Sequence, residues 1–261
     1  MRKQVRRLRT KLADSEAEVK KLRSELGRTR DSVRDPDPTV VLPDSVTQTI
    51  AQVRNERLTY LKEANLAALA RIVVGLEQDQ TPGLIIEAGT ARGGSAIVMA
   101  AAKAAERPMK VYDVFGMIPP PTEKDGADVH HRYEIITRGE SKGVAGDTYY
   151  GYRDDLYSEV TESFARLGVE VGAHNVELLQ GLFADTLVLD EPVALAHLDG
   201  DWYESTMTCL ERIAPLLVPG GRIVLDDYYA WSGCRTAVDE YFAGRECFRI
   251  ERRAKVHVVR L

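Results

Sequence analysis

Cysteine is scarce: Cys209, Cys234 and Cys247 are an odd set, with no spacing of the kind that holds a metal. This excludes a disulfide framework and a cysteine-ligated metal module, and fits thiols kept reduced in the cytoplasm. No apolar run approaches the ~20 residues that a membrane span needs. The basic start, Met1-Arg-Lys-Gln-Val-Arg-Arg-Leu, lacks the apolar stretch of a secretory signal. Also missing is Gly-x-Gly-x-x-Gly, the phosphate-binding turn of dinucleotide enzymes, which counts against a nicotinamide dehydrogenase. What is present suits a soluble globular chain: of 261 residues, 44% are hydrophobic and 29% charged, and the length buries a core without cross-links.

The net charge of −5 is unevenly spread. Residues 1–34 hold 12 Lys/Arg and 5 Asp/Glu, and the remainder 23 and 35, so the two parts have different jobs. In the basic part, Val5, Leu8, Leu12, Val19, Leu22 and Leu26 fall on alternating three- and four-residue steps, with Ser15 filling the missing position. This is a coiled-coil seam at its shortest useful length, or else a solvated, disordered arm. The seam predicts a homo-oligomer. Interleaved acids and the lack of aromatics argue against nucleic acid as a partner. Asp35-Pro-Asp-Pro and Leu42-Pro-Asp then break the chain. Residues 35–82 read as a linker and a helical cap, with Val46, Ile50 and Val53 on one face and an apolar run from Leu66 to Leu76.

From residue 83 the pattern becomes strand–helix alternation. Apolar strands begin at Leu84, Lys110, Val176, Val193 and Arg222, and helical stretches cover Ala96–Ala105, Tyr157–Leu167, Glu204–Leu217 and Gly233–Phe242. This predicts an α/β fold with a parallel sheet covered on both faces. Two late strands, Cys247–Arg252 and Val256–Arg260, have no helix between them and predict an antiparallel hairpin at the edge. Residues 116–155, rich in proline, glycine and tyrosine and containing His130 and His131, break the alternation. A long loop at the ligand edge predicts a lid.

Acids stand at four strand ends: Glu87, Asp113, Asp199 with Asp201, and Asp226 with Asp227. In an open α/β sheet, ligands bind beyond those ends. The turn Glu87-Ala-Gly-Thr-Ala-Arg-Gly-Gly-Ser lets the backbone approach a ligand and leads into a helix N-terminus that favours an anion. Asp113 stands where a carboxylate accepts ribose hydroxyls. Asp199-Gly-Asp-Trp-Tyr-Glu-Ser-Thr and Asp226-Asp-Tyr are more specific. Three carboxylates, Asp199, Asp226 and Asp227, converge from two strand ends as Mg²⁺ or a similar hard cation requires. No basic residue is immediately adjacent in sequence to neutralise them.

These stretches, with Asp113-Val-Phe-Gly-Met-Ile-Pro-Pro, Gln180-Gly-Leu-Phe-Ala-Asp-Thr-Leu, Pro219-Gly-Gly and Cys234-Arg-Thr-Ala-Val, are spread over most of residues 83–242. The sequence resembles the macrocin O-methyltransferase family, metal-dependent enzymes that methylate sugar hydroxyls of macrolide and aminocoumarin natural products. The resemblance implies a Rossmann-like class I methyltransferase with a seven-stranded, mostly parallel sheet that uses S-adenosylmethionine. It implies that Asp199, Asp226 and Asp227 bind the metal and that Asp201 is the base. The implied cofactor residues are Glu87, Gly89, Thr90, Ser95, Asp113, Gly181, Phe183 and Asp199. The 116–155 segment matches no one member and leaves the acceptor open: a small molecule or a saccharide.

Methyl transfer from a sulfonium is a direct displacement that needs alignment and a nucleophilic hydroxyl. Asp201 is expected to accept the proton, two residues beyond Asp199 on an extended strand end, with His130, His131 and His197 as alternatives. Rival readings are a catechol-type small-molecule methyltransferase and a catalytically idle domain displayed by a coiled coil.

Overall fold

Seven strands join in the order β3-β2-β1-β4-β5-β7-β6. They are β1 (Leu84–Ala88), β2 (Met109–Asp113), β3 (Val176–Gln180), β4 (Val193–Leu198), β5 (Leu217–Leu225), β6 (Phe248–Arg252) and β7 (Val256–Arg260). The computed structural model describes residues 39–261, so the heptad-patterned arm and the homo-oligomer expected from it fall outside the described residues. β1 pairs in parallel with β2 and β4, and β4 with β5, while β7 runs antiparallel between β5 and β6. Every residue of β1 and β4 is buried, which is why these central strands read as continuous apolar runs.

Alternation along the strands sorts the core into two layers. Ile85 and Val224 face one layer, with Leu66, Ile97 and Phe164 from α2 (Glu63–Gln78), α3 (Gly94–Ala102) and α5 (Leu156–Arg166). Leu84, Ile86, Ile223 and Leu225 face the other, with Leu210 and Ile213 from α7 (Tyr203–Ile213) and Val238 and Phe242 from α8 (Ser232–Phe242). The helical cap, α1 (Asp44–Asn55) and α2, packs on α3. Its connecting turn comes so close that the Gly94 amide donates to the Leu58 carbonyl at 3.0 Å. The strand order reverses between β1 and β4, which puts the switch point beside Gly89 and Asp199.

Residues 116–155 are more ordered than the long loop expected from sequence. They contain a helix, α4 (Ala127–Thr137), two 3-10 turns and a bridge between Lys142 and Thr148. Ile118, Val129, Ile136 and Tyr149 form a third small core around Trp202. Polar contacts pin the segment to the α7 and α8 ends: Trp202 Nε1 donates to the Pro119 carbonyl at 2.9 Å, and the Tyr203 and Ser232 amides donate to Asp125 and Asp128 at 2.8 and 3.0 Å.

Candidate active site

Two turns meet at the switch point. Gly89 takes φ +87°, and a β-carbon there would lie 1.9 Å from the Asp199 carbonyl oxygen. Only glycine permits that approach. At the end of β2, Asp113 ties the turn down. It accepts from the Thr90 and Ala91 amides at 2.7 and 3.0 Å and from the Phe115 amide at 2.8 Å. Burial raises its pKa, and these three donors oppose the rise.

Glu87 is fully buried. It accepts from the Ser95 hydroxyl at 2.5 Å and the Thr90 hydroxyl at 3.1 Å, and His197 Nδ1 stands 3.0 Å away. The other imidazole nitrogen faces Asp226 Oδ1 at 3.7 Å. Burial disfavours a charged His197, but these two carboxylates outweigh it and raise its pKa to about 9. Lys255 Nζ, from the β6–β7 turn, pairs with the same Asp226 oxygen at 2.7 Å. Against its burial, Lys255 and His197 hold Asp226 down to about 2.

Asp199, Asp226 and Asp227 each offer one carboxylate oxygen, and these oxygens lie within 4.8 Å of one another. Burial and mutual repulsion raise the pKa of Asp199 and bring Asp227 up to about 6. Such a cluster fits a hard divalent cation: all its donors are oxygens, and it carries more negative charge than Lys255 and His197 offset. Asp201 stands beside it. Its amide donates to Asp227 at 3.0 Å and its φ is +54°. The pleat expected to carry Asp199 and Asp201 to one side ends at Leu198, and a left-handed turn brings Asp201 round instead. Aspartate tolerates that conformation better than most residues.

A cavity of about 300 Å³ opens above these groups. Gly89, Asp113, Phe183, Asp199, Asp201, Asp226 and Asp227 line it. A second cavity of about 150 Å³ shares Asp199 and Asp226 and adds Thr90, Ser95 and Lys255. Glu87 lines neither cavity, sealed behind the turn by its hydrogen bonds, and Gly181 instead supports the β3 end, its amide donating to the Asp113 carbonyl. His130 and His131 are not brought to the site. Helix α4 buries Val129 and Ile136, which turns both histidines to solvent, while Arg132 reaches the larger cavity. His197 is committed to Glu87 and also lines neither cavity. Sequence reading missed Tyr60, Tyr149, Tyr150, Arg132 and Trp231 on the walls, and Lys255. They come from the cap, the 116–155 segment, the start of α8 and the terminal hairpin, whose packing no local pattern encodes.

The fold, with its reversed strand order and β7 between β5 and β6, is that of a Rossmann-like class I methyltransferase. The solved O-methyltransferase NovP superposes with a TM-score of 0.67 at 24% identity, over 83% of this chain and 96% of its own. The calicheamicin methyltransferase CalS11 superposes with a TM-score of 0.53 at 18% identity, over 88% and 96%.

The profile of the Macrocin-O-methyltransferase (TylF) family matches residues 50–250, and the chain belongs to that family. A Streptomyces olivaceus protein named 8-demethyl-8-(2,3-dimethoxy-alpha-L-rhamnosyl)-tetracenomycin-C 4'-O-methyltransferase is 34% identical over 220 residues, 81% of this chain and 74% of its own. The demethyldecarbamoylnovobiocin O-methyltransferase of Streptomyces niveus is 30% identical over 69% of this chain and 64% of its own. The protein is therefore an O-methyltransferase, which removes the dehydrogenase reading. Among the described residues no helix is long and apolar enough to cross a membrane.

Proposed function

We propose that this chain transfers the methyl group of S-adenosylmethionine to a sugar hydroxyl of a glycosylated natural product, at a centre that holds Mg²⁺ or a similar divalent cation on Asp199, Asp226 and Asp227. The observation that carries the reading is the convergence of those three carboxylates within 4.8 Å on a cavity that Asp201 also lines. The names of the relatives support a sugar acceptor: one is named for a compound that bears a dimethoxy-rhamnosyl group, and another is a mycinamicin III 3''-O-methyltransferase from Micromonospora griseorubida, 29% identical over 196 residues. Solved neighbours with S-adenosylhomocysteine or cofactor bound, at TM-scores of 0.50 and 0.52, share the fold.

When bound, the cation orients and acidifies the acceptor hydroxyl, and the cofactor supplies the methyl group. Asp201 accepts the hydroxyl proton on its carboxylate. Burial and the neighbouring Asp227 charge raise its pKa, and the Trp231 hydrogen bond and Arg132 oppose them. A carboxylate held beside the bound hydroxyl is a competent general base. Tyr149 and Tyr150 present aromatic rings to the cavity. Burial raises both phenol pKa values, and the two hydroxyls hydrogen-bond to each other at the cavity wall. Residues 116–155 act as the lid that excludes water.

Calorimetry and turnover on glycosides test the reading. S-adenosylhomocysteine should bind the full chain, and turnover should stop in excess chelator and return with Mg²⁺. Asp227→Asn should lose Mg²⁺ binding and keep S-adenosylhomocysteine binding. Full turnover in chelator would overturn the metal assignment, and absence of S-adenosylhomocysteine binding would overturn the cofactor site.

A further inference from the structure

The smaller cavity adjoins the larger one: Tyr60, Ala91, Asp199 and Asp226 line both. Its walls carry charge of both signs. Asp199 and Asp226 supply the acids, Lys255 enters from the β6–β7 turn, and Lys62 stands where α2 begins. A neutral nucleoside gains nothing from such walls, but the zwitterionic end of an amino acid does. The larger cavity adds apolar walls, Ile118, Pro119, Leu182 and Phe183, to its carboxylates and Arg132.

Lys255 is well placed for the negative end of a zwitterion. Its ammonium sits 2.7 Å from Asp226 Oδ1 and donates to the Asp226 carbonyl at 3.0 Å, and its side chain is only 22% exposed. An ammonium has three N–H donors, and these two contacts go to one residue. The N-terminus of α3 offers an anion only a partial charge. There Ser95 already spends its hydroxyl hydrogen on Glu87. Lys255 brings a full charge to the same cavity from the far end of the chain.

We propose that Lys255 is a cofactor-binding residue: its remaining N–H meets the α-carboxylate of the cofactor's methionyl end in the smaller cavity, while its salt bridge to Asp226 ties that end to the carboxylate cluster. The inference rests on the cofactor reading given above. The adenosyl end then occupies the larger cavity, with the sulfur at the junction, beside Asp199. The terminal hairpin thereby closes the cofactor site from the β5 side.

The test is calorimetry on the full chain with S-adenosylhomocysteine and with 5′-deoxy-5′-methylthioadenosine, which keeps the adenosine and the thioether but has no carboxylate. Wild type, Lys255→Met and Lys255→Arg are titrated in excess EDTA and again in excess Mg²⁺. Loss of one charged hydrogen bond weakens binding by about ten- to a hundredfold. Lys255→Met should show that loss for S-adenosylhomocysteine in both buffers and bind methylthioadenosine like the wild type, and Lys255→Arg should recover most of the loss. Equal weakening of both compounds would mean that Lys255 acts only by shaping Asp226, and unchanged S-adenosylhomocysteine binding would mean no contact; either overturns the proposal alone. A wild-type chain that binds neither compound overturns the cofactor reading and the proposal together.

Discussion

Gly89 and Asp199 touch backbone to backbone: a β-carbon on Gly89 would stand 1.9 Å from the Asp199 carbonyl oxygen. The turn after β1 and the turn after β4 are therefore one unit, and the residues of both share its geometry. Gly89→Ala should force them apart and also oppose the φ of +87°. A destabilisation of at least about 2 kcal/mol is expected, together with loss of S-adenosylhomocysteine binding. Thermal melting and calorimetry check it. A variant that melts and binds like the wild type would show that the contact relaxes freely.

Asp201→Asn keeps a residue that tolerates φ +54°, so the fold should survive. Removing the proton acceptor should lower kcat by about 10²–10⁴-fold, with Mg²⁺ and S-adenosylhomocysteine binding retained. Single-turnover rates decide the matter, and an unchanged rate would move proton acceptance to another group.

Arg212 holds the wall that carries Phe183. Its guanidinium donates to the carbonyls of Phe183, Leu187 and Ala184 at 2.9, 3.0 and 2.8 Å, closing the end of the short helix α6 (Phe183–Thr186). Arg212→Ala should cost about 1–3 kcal/mol of stability and weaken nucleoside binding. Lys should not substitute, because a point charge cannot reproduce the planar fork. Chemical denaturation of the two variants provides the measurement, and full rescue by Lys would contradict it.

His257 gives the chain an acid-sensitive joint away from the site. It is buried on β7, where Arg222 Nη1 lies 3.2 Å from its Nδ1. Burial, then the charges of Arg222 and Arg253, push its pKa down to about 3. A depressed folded pKa means that its contribution is complete above the unfolded value of 6.5 and is lost as pH falls towards 3. Between pH 7 and pH 4 the wild type should therefore lose on the order of 3 kcal/mol more stability than His257→Leu. Urea midpoints at the two pH values compare them, and parallel losses would rule the mechanism out.

The layered α/β fold and the carboxylate cluster were legible in the sequence because each depends on local pattern. Alternating apolar strands and helices fix a doubly covered sheet, and acids at the ends of β1, β2, β4 and β5 must emerge on one edge when those strands run parallel. The order within the 116–155 segment was hidden. Its helix buries only Val129 and Ile136, too sparse a stripe to read, and the segment is held through Asp125 and Asp128 by residues as distant as Tyr203 and Ser232.

The sequence by itself determined which groups are available: oxygen ligands at parallel strand ends, a glycine turn, and a terminal hairpin. Tertiary structure alone decided how they are charged and where they face. Asp226 has no basic neighbour in sequence, yet Lys255 and His197 neutralise it from the hairpin and from β4, while repulsion and burial raise the pKa values of Asp199 and Asp227. His130 and Arg132 are two residues apart on one helix, but only Arg132 reaches the cavity, because Val129 and Ile136 fix the rotation of α4. Electrostatic coupling and helix rotation depend on distances set by packing across the fold, and residue order along the chain carries no record of those distances.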